Sequence, residues 1–483
     1  MRHLAILTLL APTYLLANTF DAPQVPIETS APITRSTPIS PTESPDAQAA
    51  LPTSAPVKNI TLNEQDLLNN RPLLEELIGQ AIKTKDAAFL QDLLSLYQKH
   101  PERDLILQDY AQSALLYLHG KLSQAIDLQK NLVEQHSDLP YMRMNLATMQ
   151  LEDKRFADAE QQFEHLAQQT EQPALRAIAN AHLKSLAHMQ QWQFDGQLEY
   201  DRNNNVNNAS AEREIVINGA RLQKSEQSLP KSAEGLRYGV SVSRFVPLAG
   251  NHALSFSGSV NGRHYWDNHE YSQHNVYISG SYIYQNKNWT FRTTPFALQS
   301  WLGGARYTQS WGASQSAAYQ FLPAWRVQLS VSGRKTRYHD ADLRDFDSRY
   351  VSLTPVLVYS RPTFGVHFGV TVGKNQARKE SLSSKGWQVF GGVSKQFNYF
   401  GASASLSYGK ERYNQAPELR VTPYPFRRDD KIIQTDVAIW NPKWHYWGLM
   451  PKLNFSRYQI VSNMPAFYSR KSQRVYLSVE KRF

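Results

Sequence analysis

Residues 325–334 read Trp-Arg-Val-Gln-Leu-Ser-Val-Ser-Gly-Arg. Trp325, Val327, Leu329 and Val331 alternate with Arg326, Gln328, Ser330 and Ser332. Side chains in a strand point to opposite faces in turn, so this ten-residue run has one apolar face and one polar face. The same period of two recurs in Phe364-Val366-Phe368-Val370-Val372, in Trp387-Val389-Gly391-Val393 and in Val475-Leu477-Val479. A soluble sandwich also alternates. Strands of about ten residues fit a tilted membrane crossing instead. Aromatic residues gather near the strand ends, at Tyr282, Tyr284 and Trp289, at Tyr319, Phe321 and Trp325, and at Trp440, Trp444, Tyr446 and Trp447. Interfacial girdles of membrane barrels have that placement.

The connections carry the strand count. Short ones fall near 247–251, 286–288, 320–324, 360–362, 398–400 and 441–447. Long ones fall near 264–272, 299–305, 337–348, 373–385, 411–430 and 459–472. Fourteen strands result, the first near 214–222 and the last at 473–483. A fifteenth candidate, Phe194 to Asp201, makes the number odd, so one of the first two is not an ordinary spanning strand; 16 is the alternative count. The sheet is expected to close, because lipid offers no partner to an open edge. Fourteen strands enclose a lumen wider than side chains need to fill. Arg326, Gln328 and Arg334 are the candidate lumen-facing residues, and Phe483 supplies the terminal aromatic read by bacterial barrel-assembly machinery.

Upstream the period changes to 3.6. Leu67-Leu68, Leu73-Leu74, Leu77-Ile78, Leu90, Leu93-Leu94 and Tyr97 follow helical spacing. A step of 34 residues joins Ala125 to Ala159, Leu122 to Phe156, Leu132 to Leu166, and Ser113 to Ala147 and Ala181. Small residues at such steps let paired helices approach closely, and 34 is the tetratricopeptide period. Such stacks present a concave protein-binding face. Asn145 is the candidate client-contacting residue there; the competing reading is a solvated helix residue.

Charge divides at the same place. Residues 1–193 hold 15 Lys+Arg and 22 Asp+Glu; residues 194–483 hold 37 and 20. The formal +10 of the 483-residue chain thus joins an acidic arm to a basic barrel. Basic loops suit lipopolysaccharide phosphates, and inward Arg suits a passage. Residues 1–17 read as a secretory signal, with Arg2 and His3 before an apolar run ending at Ala17. Residues 18–60 read as a disordered linker, with eight prolines between 21 and 58. The expected organisation is α + β and multidomain: signal 1–17, linker 18–60, an all-α tetratricopeptide-like solenoid over 61–192 and an antiparallel transmembrane β-barrel over 193–483.

Several chemistries find no support. The chain has no cysteine, which excludes disulfides, Cys metal clusters and an acylated amino terminus. No GxxxxGK[ST] or HExxH is present. His264, His269 and His274 lie five apart in one expected loop and read as loop histidines. Asp201-Arg-Asn-Asn-Asn205 lacks the glycine and closing glutamate of a calcium loop. No Ser–His pair is singled out, and a high pI is not a nucleic-acid motif. No enzyme activity and no cofactor are indicated.

The stretch Leu198-Glu-Tyr-Asp-Arg-Asn-Asn-Asn-Val-Asn-Asn-Ala209, joined to degenerate repeats before it and a barrel after it, resembles the surface lipoprotein assembly modulator family. The resemblance covers roughly residues 100–483. It implies an outer-membrane barrel, a periplasmic arm that engages client or chaperone, and delivery of lipoproteins or soluble haem-binding proteins to the cell surface. A polysaccharide exporter and a diffusion porin are the alternatives; a basic lumen suits the exporter poorly.

Overall fold

The computed structural model describes residues 64–217, 220–417, 426–444 and 449–482. The expected signal and linker, Tyr446, Trp447 and Phe483 lie outside the described residues.

Eight helices come first: α1 Glu64–Leu68, α2 Arg71–Thr84, α3 Ala87–Tyr97, α4 Leu105–Leu118, α5 Leu122–Gln135, α6 Pro140–Glu152, α7 Phe156–Gln169 and α8 Pro173–Gln190. Local chemistry sets their starts. Asn70, Asp86 and Asp104 accept backbone N–H bonds from Leu73, Phe89 and Ile106 at 3.2, 3.0 and 2.8 Å. These caps satisfy donors that the first turn leaves open. Gly120, with φ of 75°, makes the sharp reversal between α4 and α5.

The repeat steps become packing. Ala125, Ala147 and Ala159 are fully buried, and Ser113 donates its hydroxyl proton to the Ala125 carbonyl at 3.1 Å across the α4–α5 hairpin. The step to Ala181 does not continue this role: Ala181 is exposed, and Ala179 is buried instead. The reason is topological. Helix α8 runs straight on into a strand, so no following helix covers the face that Ala181 presents.

The strands are β1 Gln193–Asn203, β2 Glu214–Ile217, β3 Ala220–Gln223, β4 Ala233–Pro247, β5 His252–Tyr265, β6 Gln273–Gln285, β7 Trp289–Leu302 and β8 Ala305–Leu322. They continue as β9 Trp325–Tyr338, β10 Ser348–Arg361, β11 Phe364–Ala377, β12 Ser384–Gln396, β13 Gly401–Tyr413, β14 Asp429–Trp440, β15 Leu449–Ser462 and β16 Arg470–Arg482. A four-residue helix, α9 Pro465–Tyr468, lies in the last loop. The barrel closes in the order β1-β16-β15, then stepwise down to β4, every neighbouring pair antiparallel. It has 14 strands.

Two sequence expectations are corrected here. The strand expected near 214–222 is the separate two-stranded hairpin β2–β3, while Phe194–Asp201 lies inside barrel strand β1. The count stays even because one candidate replaces the other. The connection expected to be long near 299–305 is a two-residue turn, Gly303-Gly304, with φ of 56° and 84°. Paired positive φ values make a tight reversal that matches strand twist, so the ladder runs on to the turn.

Alternation sorts the faces. Val331, Phe368 and Val475 are 45%, 55% and 66% exposed and belong to the outward apolar band that lipid covers. Inward positions carry hydroxyls that bond across strands, as in Ser257–Ser279 at 2.7 Å, Ser281–Thr294 at 2.8 Å and Thr354–Thr371 at 3.0 Å. The lumen side of the barrel is thus largely polar; the larger apolar cores belong to the helical arm, and a small cluster of Val206, Ala233 and Tyr265 lies in the barrel. Aromatic rings gather near the arm-side ends of the strands: Trp289–Tyr319 at 4.5 Å, Trp325–Tyr359 at 4.9 Å and Phe397–Phe400 at 4.5 Å between centroids.

Candidate functional site

The arm is seated on the barrel. The turn between α6 and α7 meets the β4–β5 and β6–β7 turns. Asn251 donates from Nδ2 to the Asp153 carbonyl at 2.6 Å, and the Gly250 N–H donates to both Asp158 carboxylate oxygens at 3.1 and 3.2 Å. Lys287 Nζ lies 2.7 Å from Glu152. Phe156 meets Phe245 edge to face at 5.9 Å. Phe156 is one of the aromatic positions of the repeat, so one residue serves both the helix stack and its mounting. An open cleft of about 430 Å³ beside this contact is lined by Glu160, Gln190, Trp192 and Arg244.

Asn145 sits on α6 and donates from Nδ2 to the Tyr110 hydroxyl on α4 at 2.7 Å. It is half-buried and ties α6 to α4, the equivalent helix about one repeat earlier. Burial pushes the Tyr110 phenol up from its ordinary value. Nearby, Tyr117 donates to Glu152 at 2.9 Å, and desolvation with that carboxylate pushes its pKa up to about 12. Both phenols therefore stay protonated throughout the physiological range, Tyr110 accepting from Asn145 and Tyr117 donating to Glu152.

Arg326, Gln328 and Arg334 lie on the face of β9 opposite Val327, Leu329 and Val331, which is the lumen face. Gln328 donates to Ser330 Oγ at 3.2 Å, and the Arg334 guanidinium lies 5.8 Å from the Tyr350 ring centre. The three residues are on one strand and are not brought together with Asn145.

A more elaborate lumen cluster lies where the sheet closes on itself. Asp201 of β1 is essentially buried. Arg474 Nη1 of β16 lies 3.2 Å from its Oδ1; Arg237 Nη2 of β4 and the Tyr265 hydroxyl of β5 lie 3.7 and 3.0 Å from its Oδ2. Arg237 Nε also lies 3.8 Å from Glu199. Above this, Ser472 donates to Asn203 Oδ1 at 3.2 Å. The following segment folds back through its own amides: Asn205 bonds Ala209 in both directions at 2.9 Å, and Asn207 bonds Leu229 and Lys231 at 2.8 and 2.9 Å. Ser210 donates to the Pro465 carbonyl at 2.8 Å, joining the first long loop to the last. Asp201–Arg474, Asn203–Ser472 and Ser210–Pro465 are 273, 269 and 255 residues apart, and sequence reasoning missed them; the Asn-rich run around 201–209 was the available signal.

The three histidines do converge, His264 on His269 at 5.5 Å and on His274 at 6.1 Å between ring centres, with the Tyr238 hydroxyl 2.8 Å from His274 Nδ1. Among the described residues no group of His, Cys, Asp or Glu forms a metal-holding set.

The model of the family described as "Surface lipoprotein assembly modifier" matches residues 192–483, and that of its N-terminal TPR repeats matches residues 60–163. A surface lipoprotein assembly modifier of Pasteurella multocida is 24% identical, with 95% of this chain and 93% of the relative covered. Surface lipoprotein assembly modifier 1 of Haemophilus influenzae is 23% identical, with 91% and 90% covered. The hemophilin secretion modulator of Acinetobacter baumannii is 20% identical, with 81% and 82% covered. A helical arm mounted on a closed barrel, matched in both parts and over nearly its whole length, makes this chain a member of the surface lipoprotein assembly modifier family.

Proposed function

We propose that this chain is an outer-membrane translocator that delivers particular lipoproteins, or related soluble haem-binding proteins, to the cell surface. The observation that carries the reading is the mounting of a tetratricopeptide solenoid on the short-turn rim of a wide polar barrel. A solenoid is a protein-binding element. Fixed at one mouth of a barrel, it holds a client where a crossing begins. The arm lies in the periplasm and receives the client there, alone or from a periplasmic chaperone. The names of the relatives, surface lipoprotein assembly modifier and hemophilin secretion modulator, point to the same clients.

The remaining partners follow from the same reading. The barrel assembly machinery inserts the chain through its terminal strand and Phe483. Lipopolysaccharide phosphates meet the basic outer loops. The role is transport and requires no covalent step. The test is removal of residues 61–192 with co-expression of a tagged lipoprotein, scored by protease shaving of whole cells. Surface exposure is expected to be lost while the barrel still shows heat-modifiable mobility. Unchanged exposure refutes the role of the arm.

A further inference from the structure

We propose that the outer part of the β1–β16 seam is a strand-accepting site through which an extended segment of the client leaves the barrel sideways; this rests on the translocator reading above.

The argument starts from unequal ladders. Strand β1 pairs with β4 along eleven residues, Gln193 to Asn203, and β16 pairs with β15 along twelve. Between β1 and β16 the ladder has five pairs, from Asp195↔Arg482 to Glu199↔Ser478. Beyond that point no ladder pair joins the two strands among the described residues. Residues 200–203 keep β4 on their other side and residues 471–477 keep β15. The interrupted edge of β16 is about 23 Å long at 3.3 Å per residue. Backbone N–H and C=O groups facing lipid across such a gap are costly to leave unmet, and the chemistry that best matches a strand edge is another strand.

What holds the gap shut is made of side chains, and the set is suited to release. Asp201 faces Arg474 across the seam, but it also faces Arg237 and Tyr265 from its own side. When β16 moves away, the buried carboxylate keeps a cation and a hydroxyl donor. Arg474 keeps the Tyr476 ring of its own strand, 5.2 Å away. Neither charge is stranded, which is the outcome that makes breaking most buried pairs expensive. Ser472–Asn203 and Ser210–Pro465 are single neutral hydrogen bonds, which are individually weak because water replaces them when they break. The seam is also where an acylated client can place its acyl chain in the outer leaflet, since the lumen face is polar.

The chain has no cysteine, so introduced pairs are unique. Asn203→Cys/Ser472→Cys spans the open part of the seam; Ser257→Cys/Ser279→Cys spans a fully laddered pair and serves as control. Both are bridged in cells by a short, reducible bis-thiol reagent. The probe is a co-expressed tagged lipoprotein selected because its surface exposure depends on the unmodified chain. Bridging the seam is expected to lower exposure about tenfold, with recovery on reduction, and bridging the control pair to leave it unchanged. Equal exposure with the seam bridged overturns the proposal. If no lipoprotein depends on the unmodified chain, the translocator reading fails instead. A photo-crosslinker at Val475 provides a route that needs no pair. Capture of client there and not at Val331 supports the seam; capture only at lumen-facing Ser314 overturns it.

Discussion

Loosening the mounting of the arm is expected to set it swinging, and the contacts allow the size of the effect to be worked out. The Gly250 N–H on the Asp158 carboxylate is charge-assisted but half-exposed and contributes about 1.5 kcal/mol. Asn251 on the Asp153 carbonyl adds about 1 kcal/mol. Lys287–Glu152, with side chains 50% and 31% exposed, adds about 0.5 kcal/mol after solvent screening. The Phe156–Phe245 edge contact adds about 1 kcal/mol. The sum, about 4 kcal/mol, favours the seated arm by roughly a thousand to one. Asp158→Ala alone lowers that ratio about tenfold and leaves the undocked population near about one part in a hundred, too small to see directly. The triple variant Asp158→Ala/Asn251→Ala/Lys287→Ala leaves about 1 kcal/mol, a ratio of about five to one, with roughly 15% of arms undocked. Spin labels at Gln91→Cys on α3 and Thr363→Cys in the β10–β11 turn report the arm–barrel distance by pulsed dipolar spectroscopy. The parent is expected to give one narrow distribution and the triple variant a second, broad component. Heat-modifiable mobility verifies that the barrel remains folded. Identical distributions in parent and triple variant would refute the reasoning, because the contacts would then contribute nothing to seating.

Two further outcomes follow. Val331→Arg places a charge on the lipid face near mid-strand and is expected to cost about 2–4 kcal/mol, reducing the folded, heat-modifiable fraction, whereas Gln328→Arg on the lumen face is tolerated; equal losses would contradict the facing assigned to β9. His182 is stacked on Phe163 at 4.6 Å, and burial holds its imidazole below the ordinary value. Its folded pKa is thus lower than its unfolded one, so its contribution is intact above about pH 6.5 and is lost as pH falls through the folded value. The helical transition followed by circular dichroism should shift to lower temperature below that pH, and His182→Phe should flatten the slope.

Much of the fold was legible because two periods are written plainly in the chain. Val327, Leu329 and Val331 need lipid on one side, and Ala125, Ala147 and Ala159 need a helix against them; each requirement excludes most alternatives. The errors came where local signals agree with two outcomes. Ile215 and Ile217 alternate as a barrel strand does, yet they sit in a hairpin of four-residue strands outside the barrel. Residues 299–305 read as a long connection, whereas consecutive positive φ values at Gly303 and Gly304 let the strands run up to the turn. The candidate residues fared by their range. Arg326, Gln328 and Arg334 were chosen on alternation with their neighbours alone, a local signal that carries a facing but not a role. The partner of Asn145, Tyr110, lies 35 residues away, about one repeat. Asp201 and Arg474 are 273 residues apart and meet because the barrel closes, which no local pattern encodes.

The passage from helix to strand at the base of the molecule has a mechanical meaning. Helix α8 ends at Gln190 and β1 begins at Gln193, so no slack separates the arm from the strand that borders the weakest ladder. The arm is also fastened to two neighbouring turns. A load applied to it therefore acts as on a lever with a fulcrum at Gly250 and Lys287 and its short end at β1. Force gathered over the length of the eight helices is delivered to a single stave of the cask, beside the joint with the fewest dowels.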